Sequence, residues 1–207
     1  KVMLPQDDYN YTADLWRIAS ECNVDHIFSV MPENQLAVAY PPEKIGHATV
    51  STVLTGYIDE NSLSKIDAMH HECARSIDIG YRANALPYWF GYFGQIKMKL
   101  QTVFSEKLVQ YPNMQTNIQN TVDTKNAFLG DDWTRFLLSC RCMLGCLGGS
   151  SILDPDGSIA KRVDAYCAVH PEAEYEEVHQ ACFPTEEDSI RGFAPSPRIF
   201  ECAMTKT

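Results

Sequence analysis

The chain has no apolar run approaching the roughly 20 residues that a membrane span needs, so no span is expected. Cations are also scarce: 17 Lys and Arg face 27 Asp and Glu, giving a net charge of −10 and an isoelectric point near 5.0. Binding to a phosphate backbone draws on clustered cations that release counterions, so no nucleic-acid partner is expected. The first residues, KVMLPQDDYNYT, contain no apolar stretch of signal-peptide length, and the expectation is that any export signal has been removed. No internal repeat, nucleophile elbow, phosphate-binding glycine loop or Cys-x-x-Cys is present. His70-His71-Glu72 has no second His at the spacing of a zinc protease. In DPDGS, Gly157 stands fourth from Asp154 and Ala165 occupies position twelve, which misses the calcium-loop pattern and reads as a turn. The glutamates of residues 172–177 read as a solvated helix face. Neither an enzyme nor a metal or cofactor is expected.

What the chain does have is enough apolar content, 45% hydrophobic and 11% aromatic, for a sizeable core. It also has eight cysteines, an even number that suggests an oxidising compartment. Asn10-Tyr11-Thr12 is an N-glycosylation sequon, consistent with a secreted protein in an extracellular fluid. A structural zinc site takes two close ligand pairs. Cys142 and Cys146 could form one; Cys167, Cys182 and Cys202 stand alone. The stretch SCRCMLGC therefore reads as a disulfide hub.

Residues 1–58 read as an irregular N-terminal extension. Asp14 to Cys22 could form a short helix with Leu15, Ile18, Ala19 and Cys22 on one face, and HIFSV, QLAVAY and HATVSTVLTGYI are broken by prolines. From about residue 59 the periodicity is helical. Leu63, Ile66, His70, Cys73 and Ile77 make one stripe, with Asn61 or Ser62 as cap, and Trp89, Phe93, Ile96, Leu100 and Phe104 make another. The polar stretch YPNMQTNIQNTVDTKN reads as a loop within an insert over about 105–130. Asp131 or Asp132 caps a third helix carrying Trp133, Phe136, Leu137, Cys140 and Leu144; Ser158, Pro171 and Pro197 open three more. The expected fold is all-α: a disulfide-stapled bundle of about six helices around an apolar cavity, spanning residues 59–207.

The order of motifs carries a resemblance. Cys73 lies in a first helix; Cys142-x-x-x-Cys146 precedes the turn ILDPDGS; EYEEVHQAC ends at Cys182; and Cys202 lies in PRIFECAMTK. This order resembles a long atypical form of the insect odorant-binding proteins. The resemblance implies pairs Cys73–Cys146 and Cys182–Cys202, worth roughly 4 and 3 kcal/mol in the chain-entropy model. The family's fifth cysteine falls where Phe193 stands, which leaves Cys142 with Cys22, Cys140 and Cys167. Cys142–Cys167 with Cys22–Cys140 is one of the open pairings.

The aromatic run PYWFGYFG is richer than one helix needs to bury. Trp89, Phe90, Phe93, Phe136, Leu137, Met143, Leu144, Tyr166, Phe193 and Phe200, with Met204, are candidates to line a pocket for a small hydrophobic molecule. Tyr92, Tyr166 or Tyr175 could offer a polar handle. His70 is expected to pack against the apolar face; the alternative is a pH switch. The expected function is non-catalytic binding and extracellular carriage of small hydrophobic ligands of odorant or pheromone type, with a chemosensory receptor as the partner the resemblance implies. Alternatives are a scavenger of amine or lipid mediators, an interaction protein without an open pocket, and a lipid hydrolase.

Overall fold

Residues 77–84, IDIGYRAN, do not continue the helix before them. Ile77 and Ile79 are β-branched, and Gly80 weakens a helix interior. The segment becomes the central strand of a sheet, which is where the all-α expectation fails. The computed structural model describes residues 1–121, 127–183 and 190–207. In chain order they form β1 (Val2–Met3), α1 (Thr12–Glu21), β2 (His26–Ser29), α2 (Leu36–Ala39), β3 (Thr49–Thr52), α3 (Glu60–His70), β4 (Ile77–Asn84) and α4 (Gly91–Leu108). Then follow β5 (Thr116–Thr121), α5 (Asp131–Ser139), β6 (Cys140–Met143), β7 (Gly148–Ser150), α6 (Ser158–Val169), α7 (Tyr175–Cys182), β8 (Gly192–Ala194) and α8 (Arg198–Thr205). The fold is α/β. Contacts divide it into two compact units.

The first unit comprises Lys1–Leu54, Leu86–Gln95 and Leu147–Ala194. Its sheet, β1-β2-β3, is wholly parallel, with Ile27 opposite Val50. Parallel neighbours need crossover connections, and helices α1 and α2 supply them. The supposedly irregular extension is thus a small β-α-β-α-β layer. Ala19, Ile27, Met31 and Tyr40 form its core, with Leu15 and Trp16 packed on it and Ile18 left exposed. Trp16 Nε1 donates to the Ala39 carbonyl at 2.7 Å. Helices α6 and α7 enclose a second cluster of Ile152, Ile159, Val163, Val178 and Phe183. The cap of α6 differs from the expected Ser158. Gly157 stands at the N-cap with φ of 72°, and buried Asp154 accepts from the backbone N–H groups of Ile159 at 3.3 Å and Ala160 at 2.9 Å.

The second unit comprises Thr55–Ala85, Ile96–Cys146 and Pro195–Thr207. Its sheet runs β5-β4-β6, again parallel. The polar stretch TNIQNT forms edge strand β5, because strand pairing satisfies its backbone whatever its side chains and Thr and Ile suit a pleat. Helix α5 stops at Ser139, whose Oγ donates back to the Phe136 carbonyl at 2.7 Å, and Cys140 is extended at φ −96° and ψ 143°. Residues 140–143 are therefore strand, and the helical spacing assumed for Cys142 and Cys146 does not exist. Helix α3 is capped by Asp59, which accepts from Asn61 N at 3.1 Å. Ile66, Met69 and Leu138 make this unit's apolar core, with Cys73 and Met204 against it.

Candidate ligand cavity

On β4, Gly80 and Arg82 share one face by strand alternation. The Arg82 guanidinium carbon lies 4.5 Å from the centroid of the Phe136 ring and 5.1 Å from that of Phe128. Its Nη1 donates to the Tyr81 and Asn117 carbonyls at 2.8 and 2.9 Å, and Nη2 donates to Asn117 Oδ1 at 2.7 Å. Burial pulls this guanidinium below its ordinary pKa range, an effect the nearby Cys140 sulfur opposes; an arginine nonetheless stays charged.

Arg198, the first residue of α8, closes the other side. Its guanidinium carbon sits 5.3 Å from the Trp133 ring and 5.6 Å from that of Tyr81. Nη2 donates to the Arg82 carbonyl at 2.5 Å and Nη1 to the Leu144 carbonyl at 3.4 Å. Its Nε is enclosed and has no hydrogen-bond partner among the described residues. Trp133 Nε1 donates to Glu201 Oε2 at 3.0 Å.

Between these groups lies a cavity of about 360 Å³, walled by Arg82, Phe128, Trp133, Pro197, Arg198 and Glu201. That is within the size range of small-molecule sites, about 300–1,000 Å³. A smaller hollow of about 230 Å³ shares Trp133 and Glu201 and is otherwise lined by residues that include Ile66, Met69, Leu137 and Met204.

The residues singled out from sequence are divided between the units. Trp89 and Phe90 stack at 4.2 Å in the first unit, where Trp89 and Tyr166 pack on the α6–α7 cluster. Phe93 lies beside Tyr92 at 6.1 Å. The side chain of Phe193 lies outside the described residues. In the second unit, Phe136 backs Arg82, Leu137 lines the smaller hollow, Met143 lies against Gly80, Leu144 joins Gly80 and Arg198 through its backbone, and Phe200 covers Gly56. None of the nine that are described lines the larger cavity. Arg82, Arg198, Phe128 and Glu201 were missed. Reading 77–84 as a strand would have placed Arg82 beside Gly80, and Trp133 was already on the inward stripe of its helix.

The disulfide framework is overturned. Cys73, Cys146, Cys182, Cys202, Cys142, Cys167, Cys22 and Cys140 are all free thiols. Cys140 is buried and its Sγ donates to the Phe136 carbonyl at 3.1 Å; burial pushes its pKa up to about 11. The all-α bundle and the cysteine pairing implied by the resemblance are therefore both absent. Asn10 is half-buried with Oδ1 enclosed, and Thr12 of its sequon is fully buried. His70 is exposed beside His71, so the apolar wall that a pH switch requires is missing.

Among the described residues no helix is long and apolar enough to cross a membrane, and no three His, Cys, Asp or Glu side chains group to hold a metal ion. Compared with protein-family models, curated proteins and solved structures, the chain matches none.

Proposed function

We propose that the second unit binds a small hydrophobic molecule reversibly and without turnover, in the cavity between Arg82 and Arg198. The observation that carries this reading is an open hollow of about 360 Å³ lined by Phe128, Leu129, Trp133 and Pro197 beside two arginines. An apolar guest seated against these side chains gains roughly 25 cal/mol for each Å² withdrawn from water.

Titration calorimetry with 1-decanol tests it. Saturable binding with one site per chain is expected, and Ala83→Phe, which fills the cavity from β4, is expected to abolish it while circular dichroism stays unchanged. Binding that survives in folded Ala83→Phe would place the site elsewhere.

A further inference from the structure

The cavity's charge goes further than its shape. Among the described residues two guanidinium groups and one carboxylate line it, Arg82 and Arg198 against Glu201, for a net charge of +1. The carboxylate is engaged by Trp133 Nε1. Both arginines are half-buried, and among the described residues neither has a carboxylate ion-pair partner. Arg82 spends its nitrogens on neutral oxygens. Arg198 keeps one enclosed N–H, at Nε, without an acceptor. Two guanidinium groups that line a hollow beside Phe128 and Trp133, with no carboxylate ion-paired to either among the described residues, favour an anionic guest.

Resting on the binding reading above, we infer that the cavity's ligand is an apolar monocarboxylate, its carboxylate accepting from the Arg198 guanidinium and its apolar body lying against Trp133 and Phe128. The same charges disfavour an amine, since a cationic head would meet two guanidinium groups. A dianion fits less well than a monoanion because Glu201 already cancels one of the two positive charges.

Calorimetry at pH 7.4 with decanoate, 1-decanol and decylamine, which share a chain and differ in the head, decides it. Decanoate is expected to bind at least about tenfold more tightly than decanol, as a charge-assisted hydrogen bond supports, and decylamine most weakly. Arg198→Gln is expected to lower the affinity for decanoate by a larger factor than the affinity for decanol, and equal losses for the two would overturn the anion inference. Equal affinities of decanoate and decanol for the wild-type protein would overturn the anion inference and leave the hydrophobic cavity standing. Binding of none of the three would overturn both. The wild-type comparison needs no variant, so a failure of Arg198→Gln to fold does not blunt it.

Discussion

A β-carbon built on Gly80 would stand 2.5 Å from Sγ of Cys140 and 2.7 Å from Sδ of Met143. The centre of the second sheet therefore closes over a position that accepts no side chain. Gly80 lies on β4 opposite Met143 of β6, and Ile77 opposite Cys140, so the two sulfur-bearing side chains occupy the space that a methyl would need. Gly80→Ala is expected to lower stability by about 1–3 kcal/mol through overpacking. Gly145→Ala, where a β-carbon meets nothing within 4 Å, serves as the control and stays within about 0.5 kcal/mol of wild type. Urea denaturation of both variants measures the difference.

In the first unit, buried Asp8 accepts from Ser29 Oγ at 2.5 Å and from Tyr40 OH at 3.1 Å. Burial raises its pKa above the ordinary 3.8, against the lowering effect of those hydroxyl groups. A carboxyl whose folded pKa exceeds its unfolded value contributes stability that is fully present below the unfolded pKa and lost as pH rises through the folded one. Asp25, Asp59, Asp131 and Asp156 are shifted downward by hydrogen bonds from their neighbours and act in the opposite sense. The difference between wild type and Asp8→Asn isolates the buried group. Wild type is expected to lose stability relative to Asp8→Asn as pH rises from 3.8, and the gap to level off above the folded pKa. Denaturation curves between about pH 3 and 8 check it; a gap that moves the other way would contradict it.

The thiols give a prediction free of any ligand. Iodoacetamide added in denaturant without reductant is expected to add eight carbamidomethyl groups, one per cysteine. Under native conditions exposed Cys22 and Cys142 should react first. Cys140 and Cys182 should react last, since both are buried and burial raises both thiol pKa values, that of Cys140 to about 11. Mass spectrometry of the labelled protein over time reads both results. Fewer than eight labels in denaturant would reveal bonded pairs and contradict the thiol state.

Much of the helical content was legible from sequence because its stripes are long and periodic, as in Leu63 to His70 and Trp133 to Leu137. The strands were not, for reasons specific to each. Residues 116–121 pair through backbone groups and bury little, so composition reads them as loop. Residues 140–143 carry on the apolar spacing of α5, and the change from helix to strand at Cys140 is set by its pairing with Ile77, a residue 63 positions earlier. The same long-range pairing made the cysteine spacing look helical. Of the cavity, only Trp133 was visible, as an inward residue of a predicted helix. Arg82 and Arg198 come together through one hydrogen bond spanning 116 positions, and no local pattern records it.

The most direct test of the account follows the three indole N–H signals by ¹H–¹⁵N NMR as decanoate is added. Trp133 walls the cavity, whereas Trp16 is tied to Ala39 and Trp89 packs on the α6–α7 cluster of the first unit. A saturable shift of the Trp133 signal, with Trp16 and Trp89 unmoved, is the predicted result. An unmoved Trp133, whether the others shift or not, would contradict the assignment of this cavity as the binding site.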